Sequence, residues 1–424
     1  MNVPSRRILL SGAGSIVVSS SLASGFGALA RPRHPVPAHP ASKPTPDSDD
    51  DSSATDGTAQ AGAGSPAETP VGPLDTEARW AFAVDFQTGT VLLQKAADER
   101  MPPSSLTKMM TAYIVFGMLK EGRLHLDQML PVSEKAWRMQ GSKMFVPLGS
   151  QIAVSDLIRG MLIQSGNDAC IVLAEGIAGS EEQFVALMNA KAKTIGLTNS
   201  QFRNVTGWPD PDHFMSARDV ATLAHRLIAD FPDDYHFFSE KDYKFNNINQ
   251  GNRNVLVDKG LADGLKTGHT DAGGFGLCAS SDRGGRRITL VVNGLPSSKA
   301  RASEGARLLN WAFANFENAR VLSRGQVLQT VPVWLGLLPS VTACAAADLV
   351  LTVPHGWQNR VKVALDYQSP VTAPIAKGQQ VGLITISGAG VTDIQVPLVA
   401  VDAVARMGLP ARAVAVLKHY LGRS

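Results

Sequence analysis

Alternating apolar and polar residues mark both ends of the central part of this chain, and helical spacing fills the part between them. The alternating runs, which predict strands, are residues 80–86, 91–94, 275–280 and 287–293, and a further run begins at Leu265. The runs with apolar residues three and four apart, which predict helices, are residues 106–118, 153–173, 181–195 and 302–316. Because strands lie at both ends, the pattern predicts one α/β (α+β) domain over residues 74–317 whose sheet joins the two ends.

Short strand-like runs separated by Gly, Pro and Asp follow this domain. They are residues 349–353, 361–365, 381–386 and 394–401, and they predict a small all-β sandwich over residues 318–405. The last segment, residues 406–424, has helical spacing, with apolar residues on one side and Arg412, Lys418 and His419 on the other. Such an amphipathic helix suits either an anionic membrane surface or packing against the sandwich. The helix is short and has no Trp or Phe, so a membrane attachment through it alone is expected to be weak.

The first 73 residues do not have the pattern of a folded domain. Residues 1–30 have a charged start at Arg6 and Arg7, an apolar stretch and the small-x-small sequence Ala28-Leu-Ala30, which predict a signal peptide and export. Residues 31–73 contain nine of the 25 prolines and no aromatic residue, Leu or Ile. Such a segment buries too little surface to offset the cost of ordering it, so it is predicted to be a disordered Pro/Ser/Ala-rich linker.

Composition and charge exclude several classes of protein. The 424 residues carry a net charge of only +3, which is too small to indicate nucleic-acid binding, and residues 318–424 are the basic part, with nine basic and four acidic residues. The three cysteines are too few and too scattered for a disulfide framework or a zinc site, so they are expected to be small buried residues. No metal and no cofactor are predicted.

The sequence Ser105-Leu-Thr-Lys108 is the first candidate for chemistry. A serine and a lysine three residues apart lie one helical turn apart on the same face. A cation in the first turn of a helix is unfavourable, which is understandable if the buried amine loses its proton and acts as general base for a serine nucleophile. Alone, the motif is weak, because Ser-x-x-Lys occurs often by chance.

Two further motifs follow in a fixed order. Ser165-Gly-Asn167 lies 60 residues after Ser105, at an expected turn between helices, and Lys266-Thr-Gly268 lies 101 residues further, at the start of a strand. The order Ser-x-x-Lys, Ser-x-Asn, Lys-Thr-Gly is the serine acyl-transferase signature shared by penicillin-binding proteins and class A β-lactamases.

The three motifs divide the chemistry of acyl transfer between them. Backbone N–H groups of Ser105 and His269 suit the developing oxyanion, and an edge strand after Lys266 suits a peptide substrate. Ser165 is a candidate for relaying a proton to the leaving amine, and Asn167 for holding the substrate amide and Lys108. The side chains of Lys266 and Thr267, beside Gly268, suit a substrate that ends in a carboxylate.

The region from about Trp80 to Phe316 resembles the catalytic domain of the low-molecular-mass penicillin-binding proteins that are D-alanyl-D-alanine carboxypeptidases. The resemblance rests on the stretches Ser104-Ser-Leu-Thr-Lys-Met-Met-Thr111, Ile158-Arg-Gly-Met161, Gln164-Ser-Gly-Asn-Asp-Ala-Cys170, Ser216-Ala-Arg-Asp219 and Asp263-Gly-Leu-Lys-Thr-Gly-His-Thr-Asp271. It implies a penicillin-binding-protein and β-lactamase-like transpeptidase domain, with a helical subdomain and a mainly antiparallel sheet, followed by the family's C-terminal β-sandwich.

The same resemblance implies an activity and further roles. A periplasmic, peripheral inner-membrane enzyme would remove the terminal D-alanine of peptidoglycan stem pentapeptides through an acyl-serine, and β-lactam antibiotics would acylate it. Arg301 matches a family arginine near the substrate carboxylate, with a solvated loop charge as the alternative. His269 is expected to contribute its backbone rather than its imidazole, and Arg218 to pair with carboxylates between helices.

Three other functions remain open at this point. A class A β-lactamase uses a Glu in a Glu-x-x-Leu-Asn loop for deacylation, and no such sequence lies between Asn167 and Lys266. A D,D-endopeptidase that cleaves peptidoglycan crosslinks is a closer alternative, although the C-terminal module favours the carboxypeptidase. A non-catalytic cell-wall scaffold is disfavoured because every expected catalytic residue is present.

Overall fold

The computed structural model describes residues 5–10, 65–388 and 391–422. Most of the predicted signal peptide and linker lies outside the described residues, so both stay predictions. Ordered packing of the catalytic domain extends before the predicted start at Leu74, because Ala67 is fully buried and its backbone N–H and C=O both bond to Leu74.

The strands of the described residues form two larger sheets and three two-stranded ones. Their bounds are β1 Ser5–Leu10, β2 Trp80–Asp85, β3 Val91–Lys95, β4 Met129–Pro131, β5 Gln151–Ala153, β6 Asp242–Phe245, β7 Ile248–Gly251, β8 Gly264–Thr270, β9 Gly274–Arg283, β10 Arg286–Leu295, β11 Phe316–Leu322, β12 Val327–Trp334, β13 Ser340–Ala345, β14 Leu349–Pro354, β15 Val361–Gln368, β16 Val371–Thr372, β17 Gln380–Gly388 and β18 Val391–Ala400.

The helices lie mainly between β3 and β8 in sequence. Their bounds are α1 Lys108–Lys120, α2 Glu134–Arg138, α3 Val154–Leu162, α4 Asn167–Ala178, α5 Glu181–Thr194, α6 Ala217–Asp230, α7 Val255–Asp258, α8 Ser298–Asn315 and α9 Leu409–Tyr420. Three 3-10 turns, at Ser104–Thr107, Tyr235–Ser239 and Trp357–Asn359, complete the regular structure.

The central sheet has the order β3-β2-β10-β9-β8, and every neighbouring pair is antiparallel. It joins the two ends of the domain, as predicted, because β2 and β3 from its beginning pair with β10 from its end. Alternate residues of β10 face opposite sides: Leu290 and Val292 pack with Leu308 of α8, whereas Val291 packs into the core of the helical subdomain. The sheet is therefore covered on both faces, and β8 lies at its edge.

The predicted helical run over residues 153–173 is wrong as a single element. The helix breaks between α3 and α4, where Ser165 has a positive φ of 62° and the N–H of Gly166 bonds to the carbonyl of Gly160. The uniform burial that the sequence indicated is present, since α4 is buried from Asn167 to Ala174. The break is what brings the predicted Ser-Gly-Asn turn to the edge of the helical subdomain.

The C-terminal part is all-β, as predicted, apart from the 3-10 turn and α9. A seven-stranded sheet has the order β1-β15-β17-β18-β13-β12-β16, and β11 pairs with β14 in a separate ribbon. Residues of both, including Val321 and Val353 of the ribbon and Leu365 and Ile384 of the sheet, share one apolar core. The strands β11, β12 and β13 were not predicted, because their apolar residues are interrupted by polar and basic ones.

The helix α9 is present where the sequence predicts it, but its apolar side does not pack on the sandwich. None of its residues is buried. Val414 and Leu417 are 53 and 60% exposed, and Leu421, which follows the last residue of the helix, is 66% exposed. The side that contacts the sandwich is the more polar one, since the ring of His419 lies 5.0 Å from that of Trp334. Within the described residues, no helix is both long and apolar enough to cross a membrane.

The three cysteines are buried and unpaired, as expected from their scatter. Cys170 lies in α4, Cys278 in β9 and Cys344 in β13.

The turn before Trp208 depends on a glycine. Gly207 has a φ of +86°, and a Cβ at this position would lie 1.7 Å from the carbonyl oxygen of Ser104. The side chain of Asn204 accepts hydrogen bonds from the N–H groups of Thr206, Gly207 and Trp208, which fixes the turn against the Ser104–Thr107 segment.

Gly207→Ala is expected to lower the free energy of unfolding by about 2–4 kcal/mol, because it adds a backbone clash to an unfavourable φ. Chemical denaturation with guanidinium measures the change. The matched control is Gly284→Ala, which has a φ of +63° but no atom within 4 Å of the added Cβ. The control is expected to cost only about 1 kcal/mol, and equal losses in the two variants would contradict the clash.

Candidate active site

Ser105 and Lys108 meet at the beginning of α1. The 3-10 turn Ser104–Thr107 runs directly into the helix, whose first residue is Lys108. The Lys108 Nζ lies 2.8 Å from the Ser105 Oγ. The predicted placement of the two side chains one turn apart on the same face is therefore what the structure shows.

The Lys108 amine is fully buried and has three acceptors around it. Besides the Ser105 Oγ, it donates to the Asn167 Oδ1 at 2.8 Å and to the backbone oxygen of Thr206 at 2.9 Å. Burial lowers the pKa of Lys108 from its ordinary value to about 8, and the positive charge of Arg253 acts in the same direction. An amine with this pKa is unprotonated in about one molecule in ten at pH 7, a far larger fraction than for an ordinary lysine, and this form can act as a general base.

Ser165 and Asn167 come from the turn between α3 and α4. Asn167 is the first residue of α4, and its Nδ2 donates to the backbone oxygen of Gln140 while its Oδ1 accepts from Lys108. Ser165 lines the same cavity as Ser105, on the wall formed by the helices. In the part of the chain that the structure describes, no hydrogen bond joins the Ser165 hydroxyl to Ser105 or Lys108. Ser165 and Ser105 are therefore related by the cavity that both line and not by a direct bond.

Asp168 holds the wall on which Ser142 lies. Its buried carboxylate accepts hydrogen bonds from the backbone N–H groups of Met144, Phe145 and Val146. The carbonyl of Ser142 in the same segment accepts from the N–H of Asn167. The first turn of α4 and residues 142–146 are thereby joined into one support.

The strand β8 forms the opposite wall. Its edge position leaves one side free for an extended peptide, as expected for the Lys266-Thr-Gly268 motif. A Cβ on Gly268 would lie 3.0 Å from the Cβ of Ser104 and 3.1 Å from the backbone nitrogen of Ser105. A glycine is needed here because the strand approaches the backbone nitrogen of Ser105 so closely.

His269 follows Gly268 in β8 and lines the wall of the cavity. Its ring stacks on Phe275 of the neighbouring strand, with centroids 3.9 Å apart, and the residue lines the cavity that contains Ser105. This arrangement is compatible with a second N–H donor for an oxyanion beside that of Ser105.

Arg301 is buried, at 5% exposure, on α8 and lines the cavity. The alternative of a solvated loop charge is therefore wrong. The cavity has a volume of about 60 Å³ and is lined by Ser105, Ser142, Ser165, Arg253, Thr267, Gly268, His269 and Arg301.

Sequence reasoning missed Ser142 and Arg253 among these residues. Arg253 lies in the segment between β7 and α7, and Ser142 in the segment held by Asp168. Neither belongs to a motif with its own chemistry. The only local signal is the turn-type sequence Gly251-Asn-Arg-Asn254, whose last residue caps α7.

Positive charge is concentrated on one side of the cavity. Lys266 is 1% exposed and donates to the backbone oxygen of Thr267. Burial lowers the pKa of Lys266 well below its ordinary value, and the charges of Lys108, Arg253 and Arg301 add to this effect. Such a cluster favours an anionic group, so a carboxylate bound here would stabilise the charged forms of these side chains.

Arg218 is structural, but it does not pair between helices as expected. It joins α6 to the segment after β3, because its Nε lies 2.7 Å from a carboxylate oxygen of Asp98. Asp98 is largely exposed, so this pair contributes little to stability. Over residues 5–10, 65–388 and 391–422, no group of three or more His, Cys, Asp or Glu side chains is arranged to hold a metal ion.

Comparison with known proteins adds family information to this geometry. A family model described as D-alanyl-D-alanine carboxypeptidase matches residues 66–297, and a model described as penicillin-binding protein 5, C-terminal domain, matches residues 316–406. The chain is 39% identical over 351 residues to the D-alanyl-D-alanine carboxypeptidase DacC of Escherichia coli, covering 81% of this chain and 88% of that protein. It is 40% identical over 321 residues to DacA of Haemophilus influenzae, covering 74% and 82%.

A solved structure gives the same result. The crystal structure of penicillin-binding protein 5 from Haemophilus influenzae superposes with a TM-score of 0.67 at 39% identity, and the match covers 79% of this chain and 99% of that one. The resemblance inferred from the three motifs, including the C-terminal module, is confirmed.

The pKa of Lys108 gives a pH dependence for acylation. Because the unprotonated amine is the base, the rate at which fluorescent penicillin acylates Ser105 is expected to rise with pH, with a midpoint near pH 8. Stopped or quenched labelling at a series of pH values measures this rate. The exposed-lysine control Lys191→Arg is expected to keep the profile, whereas Lys108→Arg is expected to lose acylation at every pH. A wild-type rate that is flat between about pH 6 and 9 would contradict the assignment.

Proposed function

The chain belongs to the D-alanyl-D-alanine carboxypeptidase family of serine peptidases, and from this we propose that Ser105 is the nucleophile that releases the terminal D-alanine of peptidoglycan stem pentapeptides. The observation that carries the assignment is the fully buried Lys108 amine, 2.8 Å from the Ser105 Oγ. Asn167 and the Thr206 carbonyl keep the amine in this place.

The first half of the reaction forms an acyl-enzyme. The Ser105 Oγ attacks the carbonyl carbon of the D-alanyl-D-alanine amide while Lys108 takes the hydroxyl proton. The backbone N–H groups of Ser105 and His269 donate to the oxyanion of the tetrahedral intermediate. The C–N bond then breaks, the leaving amine receives a proton from Lys108 through the Ser165 hydroxyl, and an ester remains on Ser105.

The second half hydrolyses the ester. Lys108, again unprotonated, takes a proton from water as the water oxygen attacks the ester carbonyl. The bond to the Ser105 Oγ breaks, Ser105 regains its proton, and a shortened peptide with a new carboxylate leaves. A β-lactam acylates Ser105 in the same way through its strained amide, but its amine stays attached to the acyl group after the ring opens.

The cationic side of the cavity holds the terminal carboxylate of the substrate. Thr267, Arg253 and Arg301 line it, and Lys266 supports it from beneath. Guanidinium groups suit a carboxylate because they donate two parallel hydrogen bonds. This position accounts for the preference for a peptide with a free C-terminus.

A larger groove is lined by residues that are next to the cavity's residues in the chain. It has a volume of about 520 Å³, and its lining includes Ser104, Gly207, Trp208 and Thr270. Since Thr270 follows His269 along β8, a peptide lying beside this strand extends from the carboxylate position, past Ser105, into this groove. The residues of the stem peptide that precede the two D-alanines therefore lie against Trp208, which is 46% exposed.

The D,D-endopeptidase remains the second candidate because the same catalytic groups cleave a crosslink. The match of residues 316–406 to a penicillin-binding protein 5 C-terminal domain supports the carboxypeptidase. A β-lactamase is disfavoured by the lack of a Glu-x-x-Leu-Asn sequence between Asn167 and Lys266.

The protein acts outside the cytoplasm, at the periplasmic face of the inner membrane. The predicted signal over residues 1–30 supports export. The helix α9 supports a peripheral membrane contact through the side that faces away from the protein. The side that faces the sandwich contains the half-buried Arg412, Ala415 and Val416. The outward side contains Val414, Leu417 and Leu421 and is apolar and exposed. In a helix of a soluble domain the apolar side faces the core instead.

Ser105→Ala is expected to abolish labelling by fluorescent penicillin and D-alanine release, because it removes the hydroxyl that is hydrogen-bonded to the Lys108 amine. Labelling on a gel and coupled D-alanine detection measure the two losses. Ser104→Ala is the matched control, since the neighbouring Ser104 bonds to Thr270 and not to Lys108.

The same experiment separates the two peptidases. Mass spectrometry of a pentapeptide and of a crosslinked muropeptide after incubation is expected to show loss of one D-alanine from the pentapeptide. Cleavage of the crosslink alone would refute the carboxypeptidase, and undiminished labelling of Ser105→Ala would refute the nucleophile.

Deletion of residues 408–424 is expected to move the protein from the membrane to the soluble fraction, because it removes the exposed apolar side of α9. Fractionation of cells followed by immunoblotting measures the distribution. Leu417→Ser with Leu421→Ser is expected to act in the same direction, and Ala415→Ser, on the docked side, is not. Unchanged partitioning of the deletion variant would count against the helix as an anchor.

A further inference from the structure

The turn between β12 and β13 exposes two adjacent leucines. Leu337 is 64% exposed and Leu338 is 52% exposed, in the sequence Leu335-Gly-Leu-Leu-Pro339. Single exposed apolar residues are common on soluble proteins, whereas a contiguous apolar surface marks a contact with another body. The position of this turn in the molecule indicates which body that is.

The turn is attached to the segment that leads into α9. The N–H of Leu337 donates to the carbonyl of Ala405 at 2.8 Å, and the N–H of Met407 donates to the carbonyl of Leu335 at 2.9 Å. The helix begins at Leu409, two residues after Met407, and Leu409 is itself 73% exposed. The apolar turn and the apolar beginning of the helix are therefore neighbours on one end of the sandwich.

The orientation of α9 makes the two elements complementary. The contact between His419 and Trp334, the last residue of β12, places the more polar side of the helix against the strand that leads into the turn. The outward side of Val414, Leu417 and Leu421 is left exposed. The turn and the helix therefore both expose apolar residues close to the segment that joins them, at one end of the sandwich.

The charge around this surface favours anionic lipid. Arg406 is exposed and pairs through its backbone with Gly336 of the turn, and Lys418 is exposed on α9. Residues 318–424 contain nine basic and four acidic residues. Basic groups beside apolar side chains are the combination by which a protein surface binds the headgroups and the outer acyl region of an anionic membrane.

We propose that the Leu337-Leu338 turn is a second membrane-inserting element, which enters the surface of an anionic membrane together with α9. The inference rests on the proposed peripheral attachment and extends it, because the helix alone is short and lacks Trp and Phe. Two weak contacts on one rigid domain bind far more tightly than either alone, since the second forms at a high effective concentration. They also fix the orientation of the sandwich, which a single helix does not.

The test is co-sedimentation of the full chain with vesicles that contain phosphatidylglycerol, and with neutral phosphatidylcholine vesicles for comparison. Leu337→Ser with Leu338→Ser, in the presence of an intact α9, is expected to weaken binding to anionic vesicles by about tenfold or more, because two apolar side chains leave the lipid. Val327→Ser is the matched control, because Val327 is 60% exposed at the other end of β12. Binding of the double variant that equals wild type would overturn the proposal.

A labelled variant tests the location directly. An environment-sensitive dye on Leu338→Cys is expected to shift to shorter wavelength when anionic vesicles are added, and the same dye on Val327→Cys is not. The native cysteines are buried and do not compete for the dye. No shift at position 338 would overturn the insertion of the turn. A shift that depends on protein concentration without lipid, together with a dimer in gel filtration, would also overturn it, in favour of a contact between two copies.

Release of D-alanine from a soluble pentapeptide separates this inference from the proposed activity. The double variant is expected to keep the wild-type rate, because the turn lies in the C-terminal sheet and none of its residues lines the catalytic cavity. Normal vesicle binding without any release of D-alanine would refute the activity and leave the turn intact. Normal release with vesicle binding that is insensitive to the turn would refute the turn alone.

Discussion

The burial of one amine organises the catalytic half of this protein. A charged amine in an apolar interior is costly unless hydrogen-bond acceptors surround it or it loses its proton. For Lys108 the acceptors come from three separate parts of the chain: the 3-10 turn before α1, the first residue of α4 and the turn at Thr206. Two of these parts have their own support, since Asp168 holds the segment beside α4 and Asn204 closes the turn around Gly207. The same arrangement that satisfies the amine in the folded protein also places it against a serine.

The charge of the cavity is a property of the fold and not of the composition. The chain is nearly neutral, yet Lys108, Lys266, Arg253 and Arg301 converge around a space that holds little more than one small group. They come from α1, from β8, from the segment before α7 and from α8, so no run of basic residues in the sequence indicates this cluster. The positive charges of Arg253 and Arg301 help to lower the pKa of Lys266, and a bound carboxylate would offset these charges. The site therefore favours a substrate with an anionic end group.

Much of this could be predicted from the sequence, because periodicity and ordered motifs are local signals. The strands of the central sheet, α1, α5 and α9 lie where the pattern places them, and the three motifs meet around one cavity. Ser142 and Arg253 could not be predicted, because they line the cavity only once the fold brings their separate segments beside Ser105. The Ser165-Gly-Asn167 turn was expected, but the helical run over residues 153–173 was placed across it, because an apolar run gives no sign of a single positive φ at Ser165. The docked side of α9 was also hidden, since an amphipathic pattern does not state which side faces the protein.

The three buried cysteines give the protein its own reporters of local opening. A buried thiol reacts with a reagent only when the structure around it opens, so its reaction rate measures the free energy of that opening. Cys170 and Cys278 lie on either side of the catalytic region, in α4 and β9, whereas Cys344 lies in the C-terminal sheet. Thiol exchange can therefore follow the catalytic and C-terminal halves separately in one unmodified sample, and show whether the two parts of the chain unfold as one cooperative unit or as two.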